Sequence, residues 1–310
     1  MMKDIRASID IGSNSVLLLI GDVSHGHLKE LLKRSEITSL GKDLDKHNMF
    51  LDESMAATFD AMRSYVKDCL DHGVPPEKII ATATEASRVA TNASAFFQKI
   101  QDELKVKIEI ITSDAEAYFS TKGILFDSKF KSEVITIVDV GGASTELIRV
   151  NTKTFQILGT ISLPIGAVRA SGWLAENVFV QKLQKTFLDF RTEIDKFQTK
   201  ELYCVAGTIT SLGNMHLGRK EFVEDDVHGL ILRVEDVDDL FKKHSDATPE
   251  AFLEQYPFLQ KRSASIRGGL HLVYHLTHRL LVKELIISTY GLRFGTIIEG
   301  KIKREYVHGK

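Results

Sequence analysis

At 310 residues the chain exceeds what one hydrophobic core usually organises, so two domains are expected. Its 43% hydrophobic and 26% charged residues exclude a disordered or fibrous chain and point to a globular one. A net charge of −2 excludes a general nucleic-acid binder, which carries a marked basic excess, although local basic residues can still line a cleft for a polyanion. Cys69 and Cys204 stand far apart with no metal-ligand or redox spacing and read as reduced thiols. The N-terminus lacks a signal-peptide apolar region and no apolar run approaches ~18 residues, so a cytoplasmic protein with no membrane partner is expected.

The first strand ends in Ile9-Asp10-Ile11-Gly12-Ser13-Asn14-Ser15, followed by the apolar run Val16-Leu17-Leu18-Leu19-Ile20. Residues 5–10, 16–23 and 28–33 form a three-stranded meander on this reading. Asp52 or Ser54 is placed to cap a helix to about Leu70, with Met55, Phe59, Met62, Tyr65 and Val66 on one face. Pro75 and Pro76 stop it. A strand over 78–82, helices over 86–91 and 93–104, and a strand over 107–111 complete a β-β-β-α-β-α-β order. That order fits a ribonuclease-H-like unit with a mixed sheet.

The second half repeats the theme. Val138-Asp139-Val140-Gly141-Gly142-Ala143-Ser144-Thr145-Glu146 is again an apolar strand ending in Asp, a turn of small residues and a second strand. Strands over 134–139, 146–150 and 155–163 are followed by a long helix over 178–197, a strand over 201–206 and a helix from Thr208 to Met215. Helices over 234–244, 249–253 and 262–278, a strand over 284–288, a turn over 288–295 and a basic C-terminal helix follow. The domain boundary is expected within 122–131, where Gly123, Asp127 and Ser128 break the pattern. This gives domains at 1–123 and 124–296, with 297–310 packing back on the first.

Turns built from Gly, Ser and Asn can aim backbone N–H groups at an anion, because no bulky side chain blocks its approach. An Asp at the strand end beside such a turn can hold a divalent cation directly or through water. One such turn is weak evidence, since small residues fill hairpins everywhere. Two at matching positions suggest a duplicated domain with a phosphate gripped between the halves, the turns facing each other across a cleft.

Several further segments give the pattern a family. Asp10–Ser15 resembles the phosphate loop D-[IL]-G-S-N-S. Residues 83–92 resemble A-T-x-A-x-R-x-A-x-N, and 111–117 resemble I-S-G-x-E-E-A. Residues 139–146 resemble D-I-G-G-G-S-T-E, and 162–169 resemble S-L-P-x-G-x-V-R. Val227-His228-Gly229 and Gly291-Leu292-Arg293 match two further signatures. Together these resemble the exopolyphosphatase/guanosine pentaphosphate phosphatase (Ppx/GppA) family of the actin/sugar-kinase/Hsp70 ATPase superfamily. The resemblance implies an α/β fold of two ribonuclease-H-like, actin-like domains with mixed sheets flanked by helices and an interdomain cleft. The departures are Ala115 for the first Glu of the E-E pair, Ala143 for the third Gly, Arg262-Ser263-Ala264 for R-A-D, and Ala206-Gly207-Thr208 for G-G-T.

The resemblance implies hydrolysis of a terminal phosphoanhydride, with Glu116 as the catalytic carboxylate beside Asp139 and Glu146. Ser13, Asn14, Ser15, Arg88, Gly141, Gly142, Ala143, Ser144 and Thr208 would bind phosphate. Asp10, Asp139 and Glu146 are hard oxygen ligands suited to Mg²⁺ or Mn²⁺. Taken without it, Glu116 also suits a first-turn helix acid, Arg88 a surface helix residue and His228 a hydrogen-bonding histidine. Trp173 reads as core or interface, and Lys301, Lys303 and Arg304 as a solvated helix face rather than a polyanion track. The expected substrate is inorganic polyphosphate, with guanosine pentaphosphate (pppGpp) as the rival; a second copy of the chain stays among the admissible partners. A superfamily kinase is disfavoured because Glu116 suits water activation. A non-catalytic guanosine-nucleotide sensor is disfavoured by retention of Glu116, Asp139 and Glu146.

Overall fold

A computed structural model of the chain describes residues 3–127, 130 and 132–309. It forms two units, one of Met1–Asp127 with Leu292–Lys310 and one of Ser128–Gly291. Of the expected boundary segment, Ser128, Lys129 and Lys131 lie outside the described residues.

The first unit runs β1 (Ile5–Ile11), β2 (Ser15–Asp22), β3 (Lys29–Ile37), α1 (Leu44–His47), α2 (Asp52–Asp71), β4 (Ile80–Ala83), α3 (Glu85–Val89), α4 (Ala93–Leu104), β5 (Ile108–Ile110) and α5 (Ser113–Asp127). The sheet order is β3-β2-β1-β4-β5. The first three strands pair antiparallel, and β4 and β5 run parallel to β1. Helix α2 buries Phe59, Met62, Tyr65, Val66 and Cys69 at helical spacing, and the Tyr65 hydroxyl donates to the Val16 carbonyl at 3.0 Å. Its N-cap is Leu51, not Asp52 or Ser54. Asp52 falls in the first turn, while the Ser54 hydroxyl donates to the Ser39 carbonyl instead. Gly123 does not interrupt the chain as expected. Helix α5 continues through it, because Ala115, Phe119 and Ile124 are buried and hold the helix from both sides of the glycine.

The second unit runs β6 (Val134–Val140), β7 (Thr145–Asn151), β8 (Ile157–Leu163), α6 (Ala167–Ala175), α7 (Phe179–Asp189), α8 (Arg191–Ile194), β9 (Glu201–Val205), α9 (Gly207–His216), α10 (Glu224–Val227), β10 (Ile231–Arg233), α11 (Val234–His244), α12 (Pro249–Gln255), α13 (Ser263–Arg279) and β11 (Glu284–Ile287). Read from its meander edge, its sheet is β8-β7-β6-β9-β11, the order of the first unit, with β10 added. The duplication thus extends from the two turns to both sheets. The expected long helix over 178–197 is broken at Phe190, which leaves helical geometry at φ −105° and ψ 19°. The bend lets Ile194 and Phe197 enter the core. Helix α6, unexpected from the sequence, carries Trp173 partly buried against that core.

The chain then returns to the first unit as α14 (Leu292–Glu299), which buries Leu292, Phe294 and Ile297. It ends at Gly300, whose φ of +79° is a left-handed helix stop that glycine tolerates. Helix α14 thus begins inside the expected turn over 288–295 and stops before Lys301, so among the described residues no basic C-terminal helix follows it. Lys301 and Lys303 lie in irregular chain, and Arg304–Tyr306 form one 3₁₀ turn. Among the described residues no helix is long and apolar enough to cross a membrane.

Two helical glycines test this packing in opposite directions. A Cβ on Gly295 would collide with the Phe119 backbone, so Gly295→Ala is expected to cost ~2 kcal/mol or more in a denaturant titration. Nothing lies within 4 Å of the Cβ position of Gly172 in α6, so Gly172→Ala is expected to stabilise by up to ~1 kcal/mol.

Candidate active site

Both small-residue turns close in the same way. The Gly12 N–H donates to the Ser15 carbonyl at 3.0 Å, and the Gly141 N–H donates to the Ser144 carbonyl at 3.0 Å. Their carbonyl groups are then consumed by the chain that follows. In the first unit Ser13 O accepts from the Gly41 N–H at 2.7 Å, and Asn14 O accepts from those of Thr38 and Ser39 at 3.1 and 3.0 Å. In the second, Gly141 O accepts from Ala167 at 2.9 Å, while Gly142 O accepts from Val168 at 2.9 Å and Arg169 at 3.2 Å. These are the first N–H groups of α6, so the turn satisfies a helix end that otherwise has no partner. The Arg169 guanidinium donates to Ala143 O at 2.6 Å and to Pro164 O at 2.9 Å. Gly166 makes the approach feasible, since a Cβ there would stand 2.5 Å from the Gly142 carbonyl. Among the described residues the N–H groups of Ser13, Asn14, Gly142 and Ala143 donate to no backbone carbonyl. Four such donors in two turns make ready anion seats. Ala143 does not have positive φ, so replacing the family's third Gly there carries no backbone strain.

The acids lie beside the turns. Asp10, at the end of β1, stands in register between Leu17 and Thr82. Asp139 stands opposite Glu146 across β6 and β7, and Glu146 stands opposite Ser162 across β7 and β8. The Ser162 hydroxyl donates to Glu146 Oε1 at 2.8 Å. Like charges directly opposite in a sheet repel, and Glu146 is only 3% exposed. A cation between or beside the two would relieve that repulsion. Among the described residues no group of three or more His, Cys, Asp or Glu is arranged to hold a metal. Two carboxylates with phosphate oxygens completing the shell are the usual Mg²⁺ arrangement, so the donor set fits that ion.

Glu116 lies in the first turn of α5, which Thr112 opens by accepting the Ala115 N–H on its hydroxyl at 3.1 Å. Arg88 Nη1 donates to Glu116 Oε2 at 3.0 Å and to the Ile111 carbonyl at 2.8 Å. Both side chains are about 10% exposed, so neither is a solvated surface group. Ala115 is buried against Ile111, Phe119 and Leu292, surroundings that would desolvate a carboxylate. His228 Nδ1 accepts the Thr289 N–H at 3.2 Å and stands 3.0 Å from the Thr289 hydroxyl. Its ring lies 4.6 Å from that of Tyr290. It thereby ties the Val227-His228-Gly229 signature to the turn just before Gly291.

One residue of this region is not in the expected set. Strand β9 lies parallel to β6, with Val205 beside Asp139, and leads through Ala206 into α9. Over the first residue of that helix lies Arg262, close enough that a Cβ on Gly207 would strike its guanidinium. Burial lowers the Arg262 pKa to about 10, with no carboxylate among the described residues acting on it. A partly buried cation over a helix N-terminus is an environment that an anion would complete. Strained backbone brackets it. Ala206 has φ 77° and ψ 165°, and Gln260 φ 47° and ψ −128°, regions suited to glycine. The signal was present in Arg262 of the R-S-A segment, but no local pattern shows that it lies over Gly207, far away in sequence. Thr208 is buried, its methyl packed on Gly269. Cys69 and Cys204 are free and buried, and burial pushes the Cys69 thiol up to about 12.

Comparison with known proteins bears on the family and the fold. The profile of the Ppx/GppA phosphatase family matches residues 19–303. A bifunctional 3-dehydroquinate synthase/phosphatase of Fusobacterium nucleatum is 30% identical over 96% of this chain and 46% of its own. A guanosine-5'-triphosphate,3'-diphosphate pyrophosphatase of Vibrio campbellii is 32% identical over 67% of this chain and 39% of its own. Exopolyphosphatase 2 of Mycobacterium tuberculosis is 31% identical over 53% and 52%. The chain thus spans about half the length, or less, of these curated relatives. Among solved structures, the Aquifex aeolicus PPX-GPPA enzyme superposes with a TM-score of 0.77 at 26% identity, covering 96% of this chain and all of that one. An exopolyphosphatase from Cytophaga hutchinsonii, at 22% identity, shares the fold with a TM-score of 0.86 over 96% of this chain and 99% of that one.

The strain at Ala206 is measurable. Ala206→Gly is expected to raise stability by about 1 kcal/mol, because ~1–3 kcal/mol of backbone strain exceeds the added flexibility of glycine in the unfolded chain. A thermal midpoint unchanged or lowered in scanning calorimetry would refute it.

Proposed function

Because the chain belongs to the Ppx/GppA phosphatase family, we propose that it hydrolyses a terminal phosphoanhydride and releases orthophosphate, with inorganic polyphosphate as the substrate. The observation that supports this most directly is the pair of turns whose carbonyls are consumed while the N–H groups of Ser13, Asn14, Gly142 and Ala143 keep no backbone acceptor. Those groups bind phosphoryl oxygens, with Ser15, Gly141 and Ser144 shaping the turns, and Arg262 takes a further phosphate of the substrate. Transfer of a phosphoryl group to water needs its oxygens held and a water aligned with the bond that breaks. Glu116 aligns that water and accepts its proton as oxygen attacks phosphorus and the bridging P–O bond breaks. Arg88 fixes the Glu116 carboxylate through Oε2, and a held carboxylate is what positioned general-base chemistry requires. Asp139 and Glu146, with Asp10 of the first unit, are the groups that would hold Mg²⁺ or Mn²⁺. When bound, that ion neutralises charge on the phosphate oxygens.

The names of the relatives support pppGpp as a substrate equally, since the same chemistry removes a terminal phosphate from a nucleotide. Phosphate release from long-chain polyphosphate, tripolyphosphate, pppGpp and ATP, each with and without Mg²⁺, separates the readings. The highest kcat/KM is expected on long-chain polyphosphate; turnover confined to pppGpp would replace the first reading with the second. Full activity after exhaustive chelation would remove the metal from the scheme. Glu116→Gln keeps the shape of the side chain but not its basicity, so kcat is expected to fall at least ~10²-fold with the fold intact. Near-wild-type turnover in that variant would take Glu116 out of the mechanism.

A further inference from the structure

The start of α5, where Glu116 sits, is held by chain from the far end of the sequence. Val307 forms an antiparallel bridge with Ile111. The Thr112 N–H donates to the Tyr306 carbonyl at 2.9 Å, and the His308 N–H donates to the Ile110 carbonyl at 2.8 Å. These bonds bracket the residue whose carbonyl receives Arg88, and Thr112 in turn accepts the Glu116 N–H at 2.9 Å. The Tyr306 ring stacks on Tyr118 with centroids 5.2 Å apart and planes 24° apart, and meets Phe119 edge-on at 5.3 Å. Further along α5, Glu299 accepts from the Tyr118 hydroxyl at 3.3 Å and pairs with Lys122. Burial, with Glu299 beside it, pushes that hydroxyl up to about 12, so it stays a donor. The short strand β5 offers α5 only three residues of sheet.

We propose that the segment from Lys303 to His308 is a strap that sets the position of Glu116, with Tyr306 as its positioning residue. This rests on the reading of Glu116 as the group that activates water. Tyr306 acts by fixing Thr112 from one side and Tyr118 from the other, the residues that bracket Glu116 in sequence. A displacement of about 1 Å at a catalytic group can cost ~10²-fold in rate without weakening substrate binding, so the strap acts on kcat.

Tyr306→Ala and Tyr306→Phe in the full chain test this, with Glu116→Gln as the reference. Amide hydrogen exchange across Ser113–Asp127 should rise in Tyr306→Ala. Its kcat on the best substrate should fall ~10-fold or more with KM within about twofold, since misplacement leaves the phosphate seats alone. Tyr306→Phe keeps the ring stack and the backbone bonds and should restore both readouts. A folded Tyr306→Ala with wild-type kcat beside an inactive Glu116→Gln would overturn the strap and leave the base in place. Unchanged exchange in α5 would overturn it as well. An active Glu116→Gln would instead remove the base itself, a separate outcome that leaves the strap nothing to position.

Discussion

A backbone turn can serve an anion only if its carbonyl oxygens are turned to other partners. That constraint organises both units. Each turn gives its carbonyls to a segment lying close against it, and the approach is so tight that Gly41 and Gly166 are needed at the contact. In the second unit the donors are the opening N–H groups of α6, so one set of bonds satisfies two sets of orphan groups at once. What remains unspent is the N–H side of the turn, held on strands whose order is repeated from one unit to the other. The unspent N–H side of each turn is thus a by-product of how the hairpin and the segment packed on it complete each other.

Charge is arranged on the same frame, and each placement departs from what stability alone would select. Asp139 and Glu146 oppose each other on one sheet row. Burial lowers the Arg262 pKa to about 10. Arg88 and Glu116, by contrast, form a compact buried pair, and such pairs fix geometry more reliably than they add stability. Strain at Ala206 and Gln260 accompanies the Arg262 cation. Unfavourable terms gathered at the ends of β6 and β9 mark that region as a candidate binding site.

Much of this was legible in the residues because the turn chemistry is local. Small residues after a strand-end Asp announce a hairpin, and the helices Ala93–Leu104 and Val234–His244 show their own limits through periodicity. The bend at Phe190 was hidden because helical spacing continues across it, and only the core decides that Ile194 and Phe197 must turn inward. Helix α6 was hidden inside a segment read as a motif, since the partner of its first turn lies a whole hairpin away. The C-terminal segment was misread for a related reason. Its basic residues suggest a solvated helix, whereas Gly300 stops the helix and Val307 finds Ile111, a contact that no local pattern encodes.

The discontinuous make-up of the first unit has a consequence for how the protein is born. Its N-terminal part leaves the ribosome before the second unit, whereas Gly295 of α14, Tyr306 and Val307 are made after it. The second unit, continuous in sequence, can complete its own core while the first still lacks a helix against Phe119 and a partner for the edge of β5. Such long-range closures are slow, and an unpaired edge is exposed to association in the interval. The short β5, only three residues long, limits how much edge is offered until Val307 and His308 are made.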